Sequence, residues 1–580
     1  MKFAALALDY DGTIAIDGAF NHDVRQAVGD LRRHGIAVIL VTGRRLDDLR
    51  RVAGNLECFD AVVGENGAVL EFPSSGRRAQ LGHPPSAQVI EELKRRNVDI
   101  AVGQSVIEAD ASSATTILDV IRRLEQPLII AFNRGRLMVL PQAIAKSTGL
   151  RQALFSLRLS AHNTVGIGDA ENDHDLLDAC EVGVAVSWGS PALRAVADEV
   201  ITGTGPADVA TYIRRLANQP RLSPAQMGRR HLFLGYQHNG DAVSLAVRGR
   251  TILIAGEPGT GKSWLAGLLC EQLILQGYSL CIIDPEGDYA SLEALPNVIT
   301  LGGTDPPPHA RELLRALRHP DVSVVVDLSK LSHAEKTEYL RTLLPLLATI
   351  RRQTGLPHKI LVDEAHYFLP ATDGIAAIDA ELGGYILVTY RISALDPAIR
   401  ATDDSVVLVT RETDPLELEA FRRICRPCAQ ASSVDVFSTL STNEVALLPG
   451  AEESRGEIRR FRLAPRLTAH VRHQMKYLDM PVPDNQAFIF SDNGAGPRVR
   501  TLKSLVGIIS TLPPAQLEGH LRRHDFSQWI EDVFRDRPLA AHVRTIEAGI
   551  GREPAGLVVQ SIAQAIRARY ETTGSLPSTD

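Results

Sequence analysis

At 580 residues the chain exceeds what one hydrophobic core supports, and about two to four domains are expected. Its 44% hydrophobic and 23% charged residues are those of an ordinary globular protein, and a net charge of −7 excludes a globally basic nucleic-acid binder while leaving a local basic face open. No apolar run approaches the ~20 residues that cross a bilayer, the opening MKFAALALDYDGT reads as a core strand rather than a signal peptide, and six scattered cysteines do not make a disulfide framework, so a cytoplasmic protein without a membrane partner is expected.

Phe3 to Leu8 is a short apolar run that delivers Asp9 and Asp11, two residues apart, to the C-terminal end of a buried strand, where open α/β sheets place their ligands. An amphipathic segment, Val24 to Arg33, leads to a second strand, Ile36 to Val41, which ends in Thr42-Gly43-Arg44. Lys146 follows much later, and a strand from Thr164 to Ile167 ends in Gly168-Asp169-Ala170-Glu171-Asn172-Asp173. Clustered carboxylates repel one another unless a hard divalent cation with oxygen ligands sits among them, while a hydroxyl and an ammonium hold phosphate oxygens. A second acid beside a carboxylate nucleophile can protonate a leaving oxygen and then activate water, which is the chemistry of phosphoryl transfer.

With DYDGT at 9–13, VTGR at 41–44, Lys146 and GDAENDHDLL at 168–177, residues 1–215 resemble the haloacid-dehalogenase superfamily in its Cof-type phosphatase branch. The resemblance implies Asp9 as nucleophile, Asp11 as general acid/base, and Thr42 and Lys146 as phosphate holders. It also implies Mg²⁺ held by Asp9, the backbone carbonyl of Asp11 and Asp169, with Asp173 in support. A small α/β cap over about 82–140 follows from the same likeness. Within it Gln104, Arg134 and Arg136 are candidate substrate contacts, with solvated surface as the favoured alternative for each. Phosphoglycolate- and sugar-phosphate-type phosphatases are the nearest in kind.

Ala207 to Leu216 reads as a closing helix, and residues 217–229, polar with Pro220 and Pro224, as a linker. Strand-like segments at His231 to Gly235 and Val243 to Val247 precede an apolar strand, Ile252 to Ala255. After it come Gly256, Glu257, Pro258, Gly259, Thr260, Gly261, Lys262 and Ser263, then an apolar helix. Strand, GxxxxGK[ST] and helix form a phosphate-binding loop: backbone N–H groups and the helix N-terminus meet phosphate, Lys262 reaches the β- and γ-phosphates, and Ser263 ligates Mg²⁺. Further strands end in Asp284-Pro-Glu-Gly-Asp-Tyr289, in Asp363-Glu364 and in Thr389-Tyr390-Arg391. Asp363 can bind the water shell of Mg²⁺ and Glu364 can polarise the attacking water.

The set GEPGTGKS, IIDPEGDY, ILVDEAHYFLP and ILVTYRIS makes residues 230–465 similar to HerA/FtsK-like P-loop ATPases. That implies a RecA-like core, with ring oligomers and DNA-translocating motors among its kind. Tyr390 stands where the branch has a glutamine-type sensor, and residues 217–250 are too short for an N-terminal β-barrel. Arg391 and Arg400 are candidates for a sensor or a finger across a subunit interface, with surface or structural roles as equal alternatives.

Arg455 to Arg466 is basic and reads as a solvated edge strand or, as the rival, a nucleic-acid contact. Cys425-Arg-Pro-Cys428 is a lone CxxC without a second pair. Residues 466–580 read as a helical accessory module, with helices near 502–510, 514–524, 526–534, 539–548 and 555–567 and a disordered tail from Thr572.

The expected fold class is α/β: a Rossmann-like core with a small cap (1–216), a linker (217–229), a RecA-like P-loop domain (230–465) and a mostly helical module (466–580). The expected function is a Mg²⁺-dependent phosphatase acting on a small phosphorylated metabolite, fused to an ATP-hydrolysing domain. Two alternatives stand beside it. One is an ATP-driven, nucleic-acid-associated assembly whose phosphatase acts on nucleotides or strand ends; the other is a nucleotide-sensing scaffold.

Overall fold

The computed structural model describes residues 2–571 apart from 134, 220, 223–228, 371–377, 379–381, 401–404, 425–434, 442, 449–456, 469–481, 483–485, 491–495 and 535. The expectations for Arg134, most of the linker, Cys425 with Cys428, and the tail therefore lie outside the described residues.

Runs of valine, isoleucine, leucine and alanine too short for helices become strands buried on both faces, as a parallel sheet covered by helices requires. The N-terminal sheet has eight strands in the order Glu199–Ile201, Val182–Val186, Thr164–Gly168, Ala5–Leu8, Ala37–Val41, Ala61–Gly64, Val69–Phe72, Arg77–Gln80. The first six are parallel and the last two antiparallel. The helix Lys146–Leu157 begins on Lys146 itself, which puts the ammonium at the strand ends. A separate four-stranded sheet, in the order Leu128–Asn133, Arg136–Pro141, Ile107–Asp110, Ile100–Val102, packs the helices Ala87–Arg95 and Ala114–Arg123 on one face. This is the cap.

The second large sheet has eleven strands. Seven are parallel, from Ser405–Val409 through Thr251–Ala255, Tyr385–Thr389, Lys359–Val362, Leu280–Asp284 and Ser323–Asp327 to Val298–Gly302. Four antiparallel strands extend it: Glu444–Leu447, Arg459–Leu463, His231–Tyr236 and Ala242–Ala246. The basic segment expected at a solvated edge is thus an inner strand, flanked on both sides. Two of its arginines are engaged within the fold, Arg460 with Glu444 and Arg459 with the Ala242 carbonyl, while Arg462 is exposed. Just past it, Arg466 is fully buried against Glu271 at 2.8 Å. Pairing on both edges hides backbone groups that an edge strand would expose, which is why hydrophilic composition alone misplaces it.

The remaining described residues form a helical module, Leu502–Thr511, Pro514–Arg522, Asp525–Trp529, Arg537–Glu547 and Ala555–Glu571, around a core with Phe526 and Trp529. Asp525 accepts from His520 and Arg523, and the Trp529 indole donates to the Gln486 carbonyl.

The two large sheets meet at the amino-terminal ends of their parallel strands. His162 and Asn163 precede Thr164–Gly168, Glu181 precedes Val182–Val186, Tyr278 and Ser279 precede Leu280–Asp284, and His358 precedes Lys359–Val362. Asn163 meets His358 at 3.2 Å, the His162 ring stacks on Tyr278 at 3.7 Å, and the Tyr278 hydroxyl donates to Glu181 at 2.9 Å. One contiguous apolar cluster runs from Phe3 and Leu6 through Tyr278 to Ile254 and Phe461.

Glu271 also accepts from the Leu467 and Thr468 backbone N–H groups, so it ties the phosphate-loop helix to the chain beyond the sheet. Glu271→Ala removes the buried carboxylate shared by Arg466, Leu467 and Thr468 and is expected to cost about 3–5 kcal/mol, read as a lower midpoint in chemical denaturation.

Candidate active sites

In the N-terminal domain three neighbouring strands end side by side, and their sequence-marked residues converge. Asp9 follows Ala5–Leu8, Thr42 follows Ala37–Val41, and Asp169 follows Thr164–Gly168. Oxygens of Asp9, Asp169 and Asp173 lie within 4.8 Å of one another, all buried. The Lys146 ammonium donates to Asp9 and to Asp173, each at 2.6 Å. Burial pushes the Asp9 carboxyl well above the usual range, Asp173 adds to that, and Lys146 opposes it. For Lys146 burial works against the charge, but Asp173 and Asp9 outweigh it and the ammonium is held more firmly than in water. Asp173 Oδ2 also accepts the Asp169 and Ala170 N–H groups at 3.0 Å, which fixes the loop. Three buried carboxylates with hard oxygen donors and one ammonium fit a divalent cation such as Mg²⁺.

Asp11 stands apart from this trio. Its two carboxylate oxygens accept from Arg44 Nε and Nη2 at 2.7 Å each, and Arg44 also reaches Asp48 at 2.7 Å. Arg44 lies inside a recognised motif, but nothing in its spacing marks it as the clamp on Asp11; only the fold brings the two together.

The cap reaches the site through Met138. In the strand Arg136–Pro141, Leu137 and Val139 pack into the cap's own core, whereas Met138 and Leu140 join the core of the main domain. A Cβ on Gly43 would sit 2.8 Å from the Met138 methyl, so this thioether lies directly over Thr42-Gly43-Arg44. On the same cap face Glu108 pairs with Arg136 at 3.1 Å, and burial raises the Glu108 carboxyl while Arg136 and Arg45 oppose the rise. Gln104 contributes backbone: its N–H donates to Glu65, and its carbonyl accepts from Gln80. Sequence reasoning missed Met138 because an apolar strand residue reads as core.

In the second domain the turn from Gly256 to Gly261 follows Thr251–Ala255, and the helix Lys262–Leu275 begins on Lys262. Gly256 sits at φ 143°, and a Cβ there would lie 2.0 Å from Thr410 Oγ1, so only glycine fits. Thr260 bonds Thr410 at 2.7 Å, Lys262 folds back on the Glu257 carbonyl at 2.8 Å, and Ser263 donates to Asp288 at 3.0 Å. Asp363 accepts from the Tyr289 hydroxyl at 3.2 Å and from the Glu364 N–H at 2.8 Å. Glu364 has φ 49°, a left-handed backbone unusual outside glycine that costs about 1–3 kcal/mol and is characteristic of functional turns. Glu257, Arg391, Glu412 and, from the helical module, Gln486 and Asp532 line one cavity beside the loop. Arg400 closes the short helix Pro397–Arg400 and is not among that cavity's lining residues.

These geometries define two phosphoryl-chemistry domains in one chain, a capped α/β hydrolase and a P-loop ATPase. A family model described as haloacid dehalogenase-like hydrolase matches residues 6–103 and 74–213, and one described as helicase HerA, central domain, matches residues 242–353. The chain therefore joins a haloacid dehalogenase-like hydrolase domain of phosphatase type to a HerA-like P-loop ATPase domain. A phosphoglycolate phosphatase of Methanothermobacter thermautotrophicus is 26% identical over 219 residues, covering 36% of this chain and 97% of that one. One from Archaeoglobus fulgidus is 28% identical over 225 residues, covering 34% and 90%. A solved haloacid dehalogenase-like hydrolase from Bacteroides thetaiotaomicron is 17% identical, with 37% of this chain and 100% of that one covered and a TM-score of 0.33. Among the described residues no helix is long and apolar enough to cross a membrane.

Proposed function

We propose that the N-terminal domain hydrolyses a small phosphomonoester through an aspartyl-phosphate. The observation that carries this reading is the buried trio Asp9, Asp169 and Asp173 with Lys146 among them. Asp9 Oδ attacks phosphorus, the bond from phosphorus to the ester oxygen breaks, and Asp11 gives that oxygen its proton; water, deprotonated by Asp11, then cleaves the acyl phosphate and frees Asp9. Both Asp11 oxygens are engaged by Arg44 here, so the acid role requires Asp11 to swing off that guanidinium. Thr42 and Lys146 hold the phosphate oxygens. Asp9, the Asp11 carbonyl and Asp169, with Asp173 behind them, would hold Mg²⁺, which when bound supplies positive charge against the phosphate.

In the second domain the turn 256–261 with Lys262 cradles the ATP phosphates. Ser263 and Asp363 would hold Mg²⁺ and its water shell there, and Glu364 would orient the attacking water. The likeness to phosphoglycolate phosphatases supports a small ester as the first domain's substrate, and Met138 over Gly43 supports a short leaving group. A second reading, an ATP-driven nucleic-acid-associated assembly, is favoured by the match to a HerA central domain. ATPase activity stimulated by DNA and falling steeply with salt would support it.

Asp9→Asn is expected to abolish ester hydrolysis, as is a chelator, while Asp9→Asn leaves ATP hydrolysis measurable; loss of both activities in the folded variant would contradict two separate sites. Glu364→Gln is expected to bind ATP and to stop its turnover, checked by nucleotide binding alongside phosphate release. Met138→Ala is expected to raise kcat/KM for hexose phosphates relative to phosphoglycolate by about tenfold or more, the scale on which added pocket space alters discrimination; an unchanged ratio over a panel of esters would remove Met138 from this role.

A further inference from the structure

The junction between the two sheets has a feature that burial of apolar surface does not need. Asn163, His162, Glu181, Tyr278 and His358 are all buried and polar, and they lie where the two domains meet. Burying polar groups costs free energy unless each finds a partner, so a cluster of this kind persists only when its hydrogen bonds are complete.

Each of these side chains has a polar partner, and for His358 the donor and acceptor can be assigned. The Ser279 backbone N–H points at His358 Nδ1 at 2.8 Å, so Nδ1 accepts and the proton sits on Nε2. Nε2–H then donates to Asn163 Oδ1 at 3.2 Å, while Asn163 Nδ2 donates to the Lys2 carbonyl at 2.8 Å. Burial lowers His358 well below the usual imidazole range, in keeping with this neutral form. Both His162 nitrogens face oxygens, Nδ1 the Glu181 carboxylate and Nε2 the Gln276 carbonyl, each at 3.0 Å. Lys2 Nζ reaches the Gln353 carbonyl from the same strand end.

Asn163 and His358 each stand at the entry of a strand whose exit carries chemistry. Asn163 leads into the strand that ends at Asp169. Through Lys2 it also grips the strand that ends at Asp9. His358 leads into the strand that ends at Asp363 and Glu364, and through Ser279 it grips the strand that ends at Asp284. A five-residue strand spans ~17 Å and is stiff along its axis, and close-packed interiors pass displacement on rather than absorbing it. The only side chains in the Asn163–His358 link are an amide and an imidazole with every polar atom engaged, so the link has little slack.

We infer that Asn163 and His358, braced by the His162–Glu181–Tyr278 cluster, are positioning residues that couple the two active sites, so that nucleotide bound at the phosphate loop alters turnover at Asp9. The inference rests on the phosphatase and ATPase reading above. It names the route of regulation: along the strands, from the exit of one sheet through the shared base to the exit of the other. By linkage the effect on binding is reciprocal, and a phosphate ligand at the first site changes nucleotide affinity at the second by the same factor that nucleotide changes the first.

The test uses the full chain. Ester hydrolysis is measured with and without a saturating non-hydrolysable ATP analogue, in the wild type, Asn163→Ala, the milder Tyr278→Phe and Lys262→Ala. The expected result is a change of threefold or more in wild-type kcat on adding the analogue. That response is lost in Lys262→Ala, which does not hold the nucleotide. It is reduced to less than half in Asn163→Ala and in Tyr278→Phe, with ester hydrolysis in the absence of nucleotide within about twofold of wild type. If Asn163→Ala fails to fold, as read by circular dichroism, Tyr278→Phe decides alone, since it removes a single hydroxyl. Wild-type turnover that ignores the analogue, or a response that persists in the folded junction variants or in Lys262→Ala, would overturn the coupling and leave the phosphatase reading intact. Absence of ester turnover under every condition would overturn both.

Discussion

A buried carboxylate is tolerable only beside a compensating charge, and the N-terminal site holds three of them around one ammonium. Lys146 at 2.6 Å from both Asp9 and Asp173 lets the cluster exist, and much of the surrounding architecture serves that contact. The helix Lys146–Leu157 starts where it does so that its first side chain reaches the strand ends. Three strands are adjacent so that their terminal residues share one pocket, and the Asp169–Asp173 loop is pinned by backbone donors. The ATPase site adds a different device. Beside its own buried acids, Asp284, Asp288 and Asp363, it sets glycines and a helix N-terminus whose N–H groups receive an anion.

Short motifs locate these sites because the chemistry demands residue types at strand ends, and strand ends are legible from apolar runs that stop at glycine or aspartate. The order of strands across each sheet is not legible in this way. Nothing in Arg459–Leu463 says that it lies between two antiparallel neighbours, and its charges suggest an exposed edge; pairing on both sides is a property of the whole sheet. The grip of Arg44 on Asp11 and the seat of Met138 on Gly43 are hidden for a related reason. Each joins segments far apart in sequence, and each residue taken alone has an ordinary reading, a surface arginine and a core methionine. The polar cluster at the shared base was invisible too, since a histidine before a strand reads as a loop residue until the second domain arrives to bury it.

The strands of a parallel sheet all end on one side and all begin on the other. Here both sheets carry their chemistry where the strands end, and pack against one another where they begin, through Asn163 and His358 and the apolar cluster around them. The two sites consequently lie at the ends of their strands away from the shared base. The polar and apolar residues that fill the shared base stand between the two sites, so a compound made at one is released at the far end of its own sheet. The same geometry keeps the two sites apart. The cap stands over one end of this arrangement and the phosphate loop at the end of the other sheet, so the two sites share no lining residue among those described.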